Sequence, residues 1–287
     1  MAKLLITGAN GQLGNEIRSI VNGDKLNSFI FTDIQELDIT NLDAVCNFAE
    51  IHKPDFIVNC AAYTAVDKAE EDIELCSKIN CFAVENIAKA AKNIGAKVIH
   101  VSTDYVYGGD AITPYLESDK CNPKSVYGKT KLDGENKLQE ILPNDSVIIR
   151  TSWLYSTFGK NFVKTMITLG KERDSLNVVS DQRGTPTYAR DLAKVIMAVA
   201  EAKEFVAGIY NYSNEGECSW YDFTCEIHNI AGIKCSVNAI TTEEYPTKAR
   251  RPAYSVREKS KIKNTFALTI PNWKESLKDC IELLNID

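Results

Sequence analysis

Tyr127 and Lys131 stand four residues apart in Ser125-Val126-Tyr127-Gly128-Lys129-Thr130-Lys131, the spacing that puts two side chains on one face of a helix. A phenol titrates near ~10 in isolation, and a cation held beside it favours the phenolate. The pair therefore reads as a proton-exchange unit for neutral pH. The same spacing also arises on solvated helix surfaces, so its meaning depends on its surroundings. Gly128 and Thr130 are poor residues for a helix interior, but the stretch from Thr130 to Leu138 carries enough helix formers to sustain one. A second chemical group is the hydroxyl cluster Ser102-Thr103-Asp104-Tyr105-Val106-Tyr107 at the end of an apolar run. One of these hydroxyls can donate a hydrogen bond to a substrate oxygen.

A third candidate lies near the start of the chain. Lys3-Leu4-Leu5-Ile6-Thr7 is an apolar run suited to a buried parallel strand, Gly8-Ala9-Asn10-Gly11-Gln12-Leu13-Gly14 follows at once, and Asn15 to Val21 reads as an amphipathic helix. Strand, glycine turn and helix form the setting of a dinucleotide loop. Gly8 makes the turn, Gly11 lets the backbone approach a pyrophosphate, and Gly14 lets helix pack on strand. The helix N-terminus, beside Asn10, Gln12 and Leu13, supplies N–H groups and positive dipole to the phosphates. A tight turn with no ligand carries the same glycines; the setting favours a nucleotide. Ser28 to Asp33 predicts a second strand ending in an acid about 20 residues after the glycines, where a carboxylate binds the adenosine ribose. Asp33 favours NADH over NADPH, because a 2′-phosphate would face a like charge. In Leu37-Asp38-Ile39-Thr40, Thr40 is a candidate helix cap, and Asp38, beside Ile39, either helps the cap or touches adenine.

These groups need a scaffold. Asp55 to Thr64 predicts a third strand opening into Ala61, Ala62 and Tyr63, where small side chains let a flat cofactor lie close or simply allow a tight connection. Glu70 to Ala91 predicts one long helix, Gly95 to Val101 a fourth strand and Ser146 to Arg150 a fifth. The alternation predicts an α/β fold, a Rossmann-type doubly wound parallel sheet over residues 1–150. After Thr151 the pattern changes. Trp153, Tyr155, Phe158 and Phe162 crowd a turn-rich stretch, and a polar loop runs from Asp181 to Thr187. Helices are expected near Asp191 to Ala202 and Trp220 to Ala231, a strand at Ile209 to Tyr212, and a last helix from Pro271. With no second glycine fingerprint, residues 151–287 read as a smaller α/β substrate-binding region, some of whose segments can return to the sheet. Lys248-Ala249-Arg250-Arg251-Pro252 is a basic knot whose arginines either fork onto phosphate oxygens or sit in a solvated loop.

A chain of 287 residues, 44% hydrophobic and 25% charged, has ample material for a core. Its net charge of −6 argues against nucleic acid and anionic membrane as partners. No apolar run approaches the ~20 residues of a membrane span, and the first residues lead into the glycine motif rather than a cleavage site, so a cytoplasmic location is expected. Nine scattered cysteines without a Cys-x-x-Cys pair indicate reduced thiols rather than disulfides or zinc. His52, His100 and His228 share no metal-ligand spacing, and His100, inside an apolar run, reads as a core residue.

Taken together, these motifs resemble the extended short-chain dehydrogenase/reductases. More narrowly, the chain is similar to the dTDP-4-dehydrorhamnose reductase family across nearly its whole length. The likeness rests on Thr7 to Gly14, Asn59 to Glu70, Ser102 to Tyr107, Tyr127 to Lys131, Arg150 to Tyr155, Asp181 to Thr187 and Arg251-Pro252, all in order. The resemblance implies NADPH- or NADH-dependent reduction of the 4-keto group of a dTDP-sugar, with Thr103, Tyr127 and Lys131 as the catalytic trio. It also implies substrate contacts at Thr103, Asp104, Trp153 and Arg251. Some family members dimerise around magnesium; here Asn15 precedes Glu16 and Glu275 is the nearest late acid, so no metal ligand is assigned and either a monomer or a homodimer is expected. An epimerase or dehydratase on the same scaffold, and a non-catalytic relative resembling the regulatory subunit of methionine adenosyltransferase, are the alternatives.

Overall fold

The computed structural model describes residues 2–21 and 28–284. The first half alternates strand and helix: β1 (Leu4–Thr7), α1 (Gln12–Ile20), β2 (Phe29–Thr32), α2 (Leu42–His52), β3 (Phe56–Asn59), α3 (Val66–Ala69), α4 (Ile73–Ser77), α5 (Ala83–Ile94), β4 (Lys97–Thr103), α6 (Val126–Ile141) and β5 (Ser146–Thr151). The second half continues with β6 (Leu154–Tyr155), α7 (Phe162–Glu172), β7 (Ser175–Val179), β8 (Arg183–Gly184), β9 (Thr187–Tyr188), α8 (Ala189–Ala200), β10 (Gly208–Asn211), β11 (Cys218–Ser219), α9 (Trp220–Ile230), β12 (Ser236–Ile240), α10 (Ser260–Phe266) and α11 (Trp273–Leu283).

The central sheet has six parallel strands in the order β10-β5-β4-β3-β1-β2. This is the doubly wound α/β architecture expected from the alternation. Side chains on a strand point alternately to the two faces, and β1 supplies both cores at once. Leu4 and Ile6 pack with Ile17 of α1 and Leu192 and Ile196 of α8, while Leu5 packs with Val45 of α2, Ile87 of α5 and Leu138 of α6. Each such buried aliphatic contributes about 1.5–3 kcal/mol. The sixth strand, β10, comes from the second half of the chain and pairs with β5, Ile209 opposite Ile148. A third core, around Tyr155, Phe223 and Trp273, holds β6, β7, α7, α9 and α11 together beside the sheet.

Three local expectations differ from the structure. The helix expected from Glu70 to Ala91 is two helices joined by a wide π-type turn, Lys78–Phe82, which lets the carbonyl of Asn80 lie against Gly134 of α6, where a β-carbon would collide with it. The first helix begins at Gln12 rather than Asn15, so Leu13 and Gly14 belong to its first turn. Asn41, not Thr40, caps α2, its side chain accepting from Ala44 N at 3.1 Å. No helix among the described residues is long and apolar enough to cross a membrane.

Candidate active site

Strand order reverses on either side of β1, and in such sheets ligands bind in the crevice at the carboxyl ends of the strands there. The glycine turn fills this place. Gly8 has φ +65°, and a β-carbon on it would stand 2.6 Å from the amide nitrogen of Ala61, so the turn and the end of β3 touch backbone to backbone. Gly14 lies as tightly on Ala9. Gly11 is the N-cap of α1 and offers no side-chain cap, nor is there an acid in the first turn, so the first N–H groups and the positive helix end stay available to an anion. Gln12 accepts from Asn161 Nδ2 at 3.1 Å, tying the helix start to the second half of the chain. These residues fit a dinucleotide's pyrophosphate.

Asp33, just past β2, turns its carboxylate toward the same loop and accepts from Asn10 N at 2.9 Å. Asp38 is engaged locally: its Oδ1 accepts from both Thr40 N at 2.9 Å and Thr40 Oγ1 at 2.7 Å, and these bonds hold its carboxyl below the ordinary range. It thus closes a turn beside the cap, while Ile39 is buried. Ala61, Ala62 and Tyr63 follow β3. The loop they begin is fixed by Asn80, whose Oδ1 accepts from Tyr63 N at 2.9 Å and whose Nδ2 donates to Tyr63 O at 3.1 Å. The Tyr63 hydroxyl donates to Asp72 Oδ2 at 2.9 Å.

Ser125 caps α6 by accepting from Gly128 N at 3.1 Å, and that start sets the phase of the helix. Gly128 sits so close under the carbonyl of Tyr105 that a β-carbon would collide with it, bringing α6 against the turn after β4. Tyr127 is consequently buried among Tyr63, Ala69, Cys76 and Tyr105, its ring edge-on to Tyr105 at 5.4 Å. The expectation that Lys131 acidifies this phenol is not met. Burial pushes Tyr127 well above its ordinary value, and the Thr103 hydroxyl lowers it only in part. Lys131, one turn on and also buried, directs Nζ away, to Val101 O at 2.7 Å and to His100 Nε2 at 3.3 Å. The lysine itself is lowered to about 8, by burial opposed by Glu135. The phenol is therefore protonated at neutral pH, the state an acid catalyst needs.

Thr103 ends β4. Its hydroxyl donates to Asp104 Oδ1 at 3.1 Å and accepts from Tyr105 N at 3.2 Å. Asp104 is buried, which raises its carboxyl, and Arg257 lies 3.9 Å away as an opposing charge. Trp153 has φ +48°, a conformation costly for a large side chain, and is held in it by stacking on Trp220 with 3.6 Å between ring centroids. Arg251 is not part of a solvated loop: its guanidinium donates to Asp67 and, at 3.0 Å, to the Tyr105 hydroxyl. Arg250 is exposed. Thus Thr103, Asp104 and Tyr127 meet at the end of β4, the Lys131 amine is held instead on Val101 and His100, and Arg251 reaches the group through Tyr105.

Sequence reading missed the polar residues that carry these groups. Glu135, a further turn along α6, forms a buried ion pair with Arg150 of β5 at 2.6 Å and accepts from Ser102. Asn59, at the end of β3, accepts from Thr7 and Ala61 and meets His100. Asn59 left a signal, since a lone polar residue inside an apolar run must find a partner, whereas Glu135 stands in a polar stretch and left none.

Comparisons with known proteins show the family and the fold. The model of the family described as RmlD substrate binding domain matches residues 2–286. The dTDP-4-dehydrorhamnose reductase of Aggregatibacter actinomycetemcomitans is 42% identical, over 97% of this chain and 98% of its own length. Among solved structures, the dTDP-4-dehydrorhamnose reductase of Clostridium acetobutylicum is 49% identical and superposes with a TM-score of 0.94 over 98% of this chain and 99% of its own. That of Bacillus anthracis, in complex with NADP, is 39% identical with a TM-score of 0.94, over 98% of this chain and 99% of its own. From nearly full-length likeness in both sequence and structure, the chain belongs to the RmlD family, whose relatives named here are dTDP-4-dehydrorhamnose reductases.

Proposed function

We propose that this protein reduces the 4-keto group of dTDP-4-dehydro-L-rhamnose to give dTDP-L-rhamnose, with NADPH or NADH as reductant. The observation that carries the reading is the buried, protonated phenol of Tyr127 beside Thr103 at the end of β4, in a sheet whose β1 ends in the glycine turn. Gly8, Asn10, Gly11, Gln12, Leu13 and Gly14 hold the dinucleotide's pyrophosphate, with Asp33 at the adenosine ribose. Ala61, Ala62 and Tyr63 form the wall beside the nicotinamide. Asp38 and Ile39 shape the turn below the adenine. The reduced nicotinamide supplies hydride to C4 of the sugar.

Tyr127 gives its phenolic proton to the oxygen that is becoming an alkoxide, and the Lys131 ammonium, bonded to Val101 and His100, acts on the phenolate left behind as a buried charge one turn along the helix rather than as its hydrogen-bond partner. Thr103 turns its hydroxyl from Asp104 to the same oxygen and adds a fixed donor where charge develops. Asp104 then regains an acceptor site for a sugar hydroxyl. Trp153 packs on the sugar, and Arg251 exchanges Asp67 for the diphosphate, a fork that matches two phosphate oxygens. Residues 151–287 mainly bind substrate, and we assign the work to the cytoplasm, as a monomer or homodimer.

The test is stoichiometric. Incubation with the keto-sugar and one equivalent of NADPH must remove the nicotinamide absorbance as product forms. An epimerase or dehydratase recycles its cofactor and leaves the absorbance unchanged, and a non-catalytic relative forms no product.

A further inference from the structure

A hydrogen-bond chain runs from the glycine turn to Lys131 through a histidine that the reduction described above does not use. Thr7 Oγ1 donates to Asn59 Oδ1 at 2.7 Å, Asn59 Nδ2 meets His100 Nδ1 at 3.1 Å, and His100 Nε2 meets Lys131 Nζ at 3.3 Å. All four side chains are buried, and His100 is 0% exposed. The backbone N–H of Ala61 also points at Asn59 Oδ1, at 3.2 Å. A backbone N–H can only donate, so this contact fixes the amide: Oδ1 faces Ala61 and Thr7, and Nδ2 faces the imidazole. An amide N–H against Nδ1 requires Nδ1 to be the bare, accepting nitrogen. A neutral imidazole carries one proton, which must then sit on Nε2 and point at Lys131. Burial, reinforced by the charge of Lys131, holds the ring well below the ordinary imidazole value and so keeps it neutral.

Lys131 already gives one N–H to Val101 O. An ammonium has three donors and no acceptor, so it meets the Nε2–H donor to donor, whereas the amine has a lone pair to receive it. A hydrogen bond available only to the neutral form weakens a group's hold on its proton. We propose that His100 is a positioning residue for Lys131: in the tautomer imposed by Asn59, it presents an N–H donor that favours the amine and loosens the lysine's proton. Three other groups face this amine. Glu135 on α6, Cys76 on α4 and Cys60 after β3 all favour the ammonium, and burial works against it. His100, from β4, sides with burial. Lys131 as an ammonium is the partner of the Tyr127 phenolate, so the alkaline fall in activity reports its deprotonation, and His100 sets where that fall lies. This kinetic consequence rests on the reductase reading; the tautomer does not.

The tautomer can be read from the wild-type protein by nitrogen NMR after isotopic labelling of its three histidines, with His100 assigned by the signal lost in His100→Asn. A bare Nδ1 and a protonated Nε2 are expected, and the reverse pattern overturns the proposal whether or not the protein turns over. His100→Asn keeps an acceptor for Asn59 but cannot reach Lys131, whereas His100→Gln carries an amide N–H to the place of Nε2. The alkaline limb of kcat/KM should move up by about one pH unit in His100→Asn, the equivalent of one net hydrogen bond, and stay at the wild-type position in His100→Gln. A uniform loss of kcat with the limb unmoved would make His100 structural only and also overturn the proposal. Absence of turnover in the wild type defeats the reductase reading instead, and the NMR result still decides this one.

Discussion

Arg251 and Asp67 are joined, linking a loop in the second half of the chain to α3, and the same guanidinium donates to the Tyr105 hydroxyl at 3.0 Å. Tyr105 in turn packs edge-on against Tyr127. The cation proposed above to bind diphosphate is thus held on a carboxylate, two side chains away from Tyr127. Arg251→Gln should raise KM for the sugar nucleotide roughly 10- to 100-fold, the range of one charge-assisted hydrogen bond, with KM for NADPH nearly unchanged. Steady-state kinetics with each substrate varied in turn decides it. Equal effects on the two KM values would remove Arg251 from the sugar-nucleotide site.

Removing the phenol tests the proton donor itself. Because burial raises Tyr127 above its ordinary value, it carries its proton throughout the neutral range, as the acid role proposed for it in reduction requires. Tyr127→Phe should lower kcat by about 10²- to 10⁴-fold while leaving KM for the keto-sugar within a few-fold of wild type. Wild-type turnover in that variant would remove Tyr127 from the proton step.

The glycine fingerprint, the alternation of parallel strands with helices and the Tyr127–Lys131 spacing were legible in the sequence because each follows from local rules, while Thr103 was singled out among the hydroxyls at the end of β4 by the resemblance alone. Apolar runs make strands, glycines make close approaches, and four residues make a helix turn. Direction was not legible. Spacing puts Lys131 on the face of Tyr127 but says nothing of where its amine points, and the structure sends it to Val101 and His100, residues of a strand far away in sequence. Likewise Arg251 was visible as a cation, while its partner Asp67 depends on tertiary contact between segments that share no local pattern. The π-type turn at Asn80 was hidden for the same reason: its cause, the close approach of Gly134, lies on another helix.

Asp33 gives a prediction about cofactor choice. Its carboxylate accepts from Asn10 N at the lip of the glycine turn, where an adenosine ribose would lie, and a 2′-phosphate there adds charge of the same sign. The relative from Bacillus anthracis is solved in complex with NADP, so both cofactors are compared. Asp33→Ser keeps a hydrogen-bond acceptor and removes the charge. The ratio of kcat/KM for NADPH over NADH should rise by roughly tenfold, and the gain should shrink as salt screens the charge. An unchanged ratio would mean that Asp33 serves the loop alone.

Lys131 leaves a signature in stability as well as in rate. Its side chain is fully buried and its pKa is lowered from 10.5 to about 8. The folded protein therefore binds this proton more weakly than the unfolded chain does. Between about pH 8 and 10.5 the unfolded chain holds the extra proton, and stability must rise with pH through that window; below it, the cost of burying the charge is present in full. The whole span corresponds to on the order of 3 kcal/mol. Lys131→Met has no such titration, and the cysteines and tyrosines that ionise in the same range cancel when the two proteins are compared, apart from Cys60 and Cys76, whose thiols feel the Lys131 charge. Urea unfolding of both, without cofactor, should show the wild type gaining on the variant by that amount as pH rises from about 8 to 10.5. A difference that stays flat would mean that the lysine keeps its ordinary proton affinity inside the fold. The amine could not then release its proton within the working range of the enzyme, and the contact with His100 would have no proton to loosen.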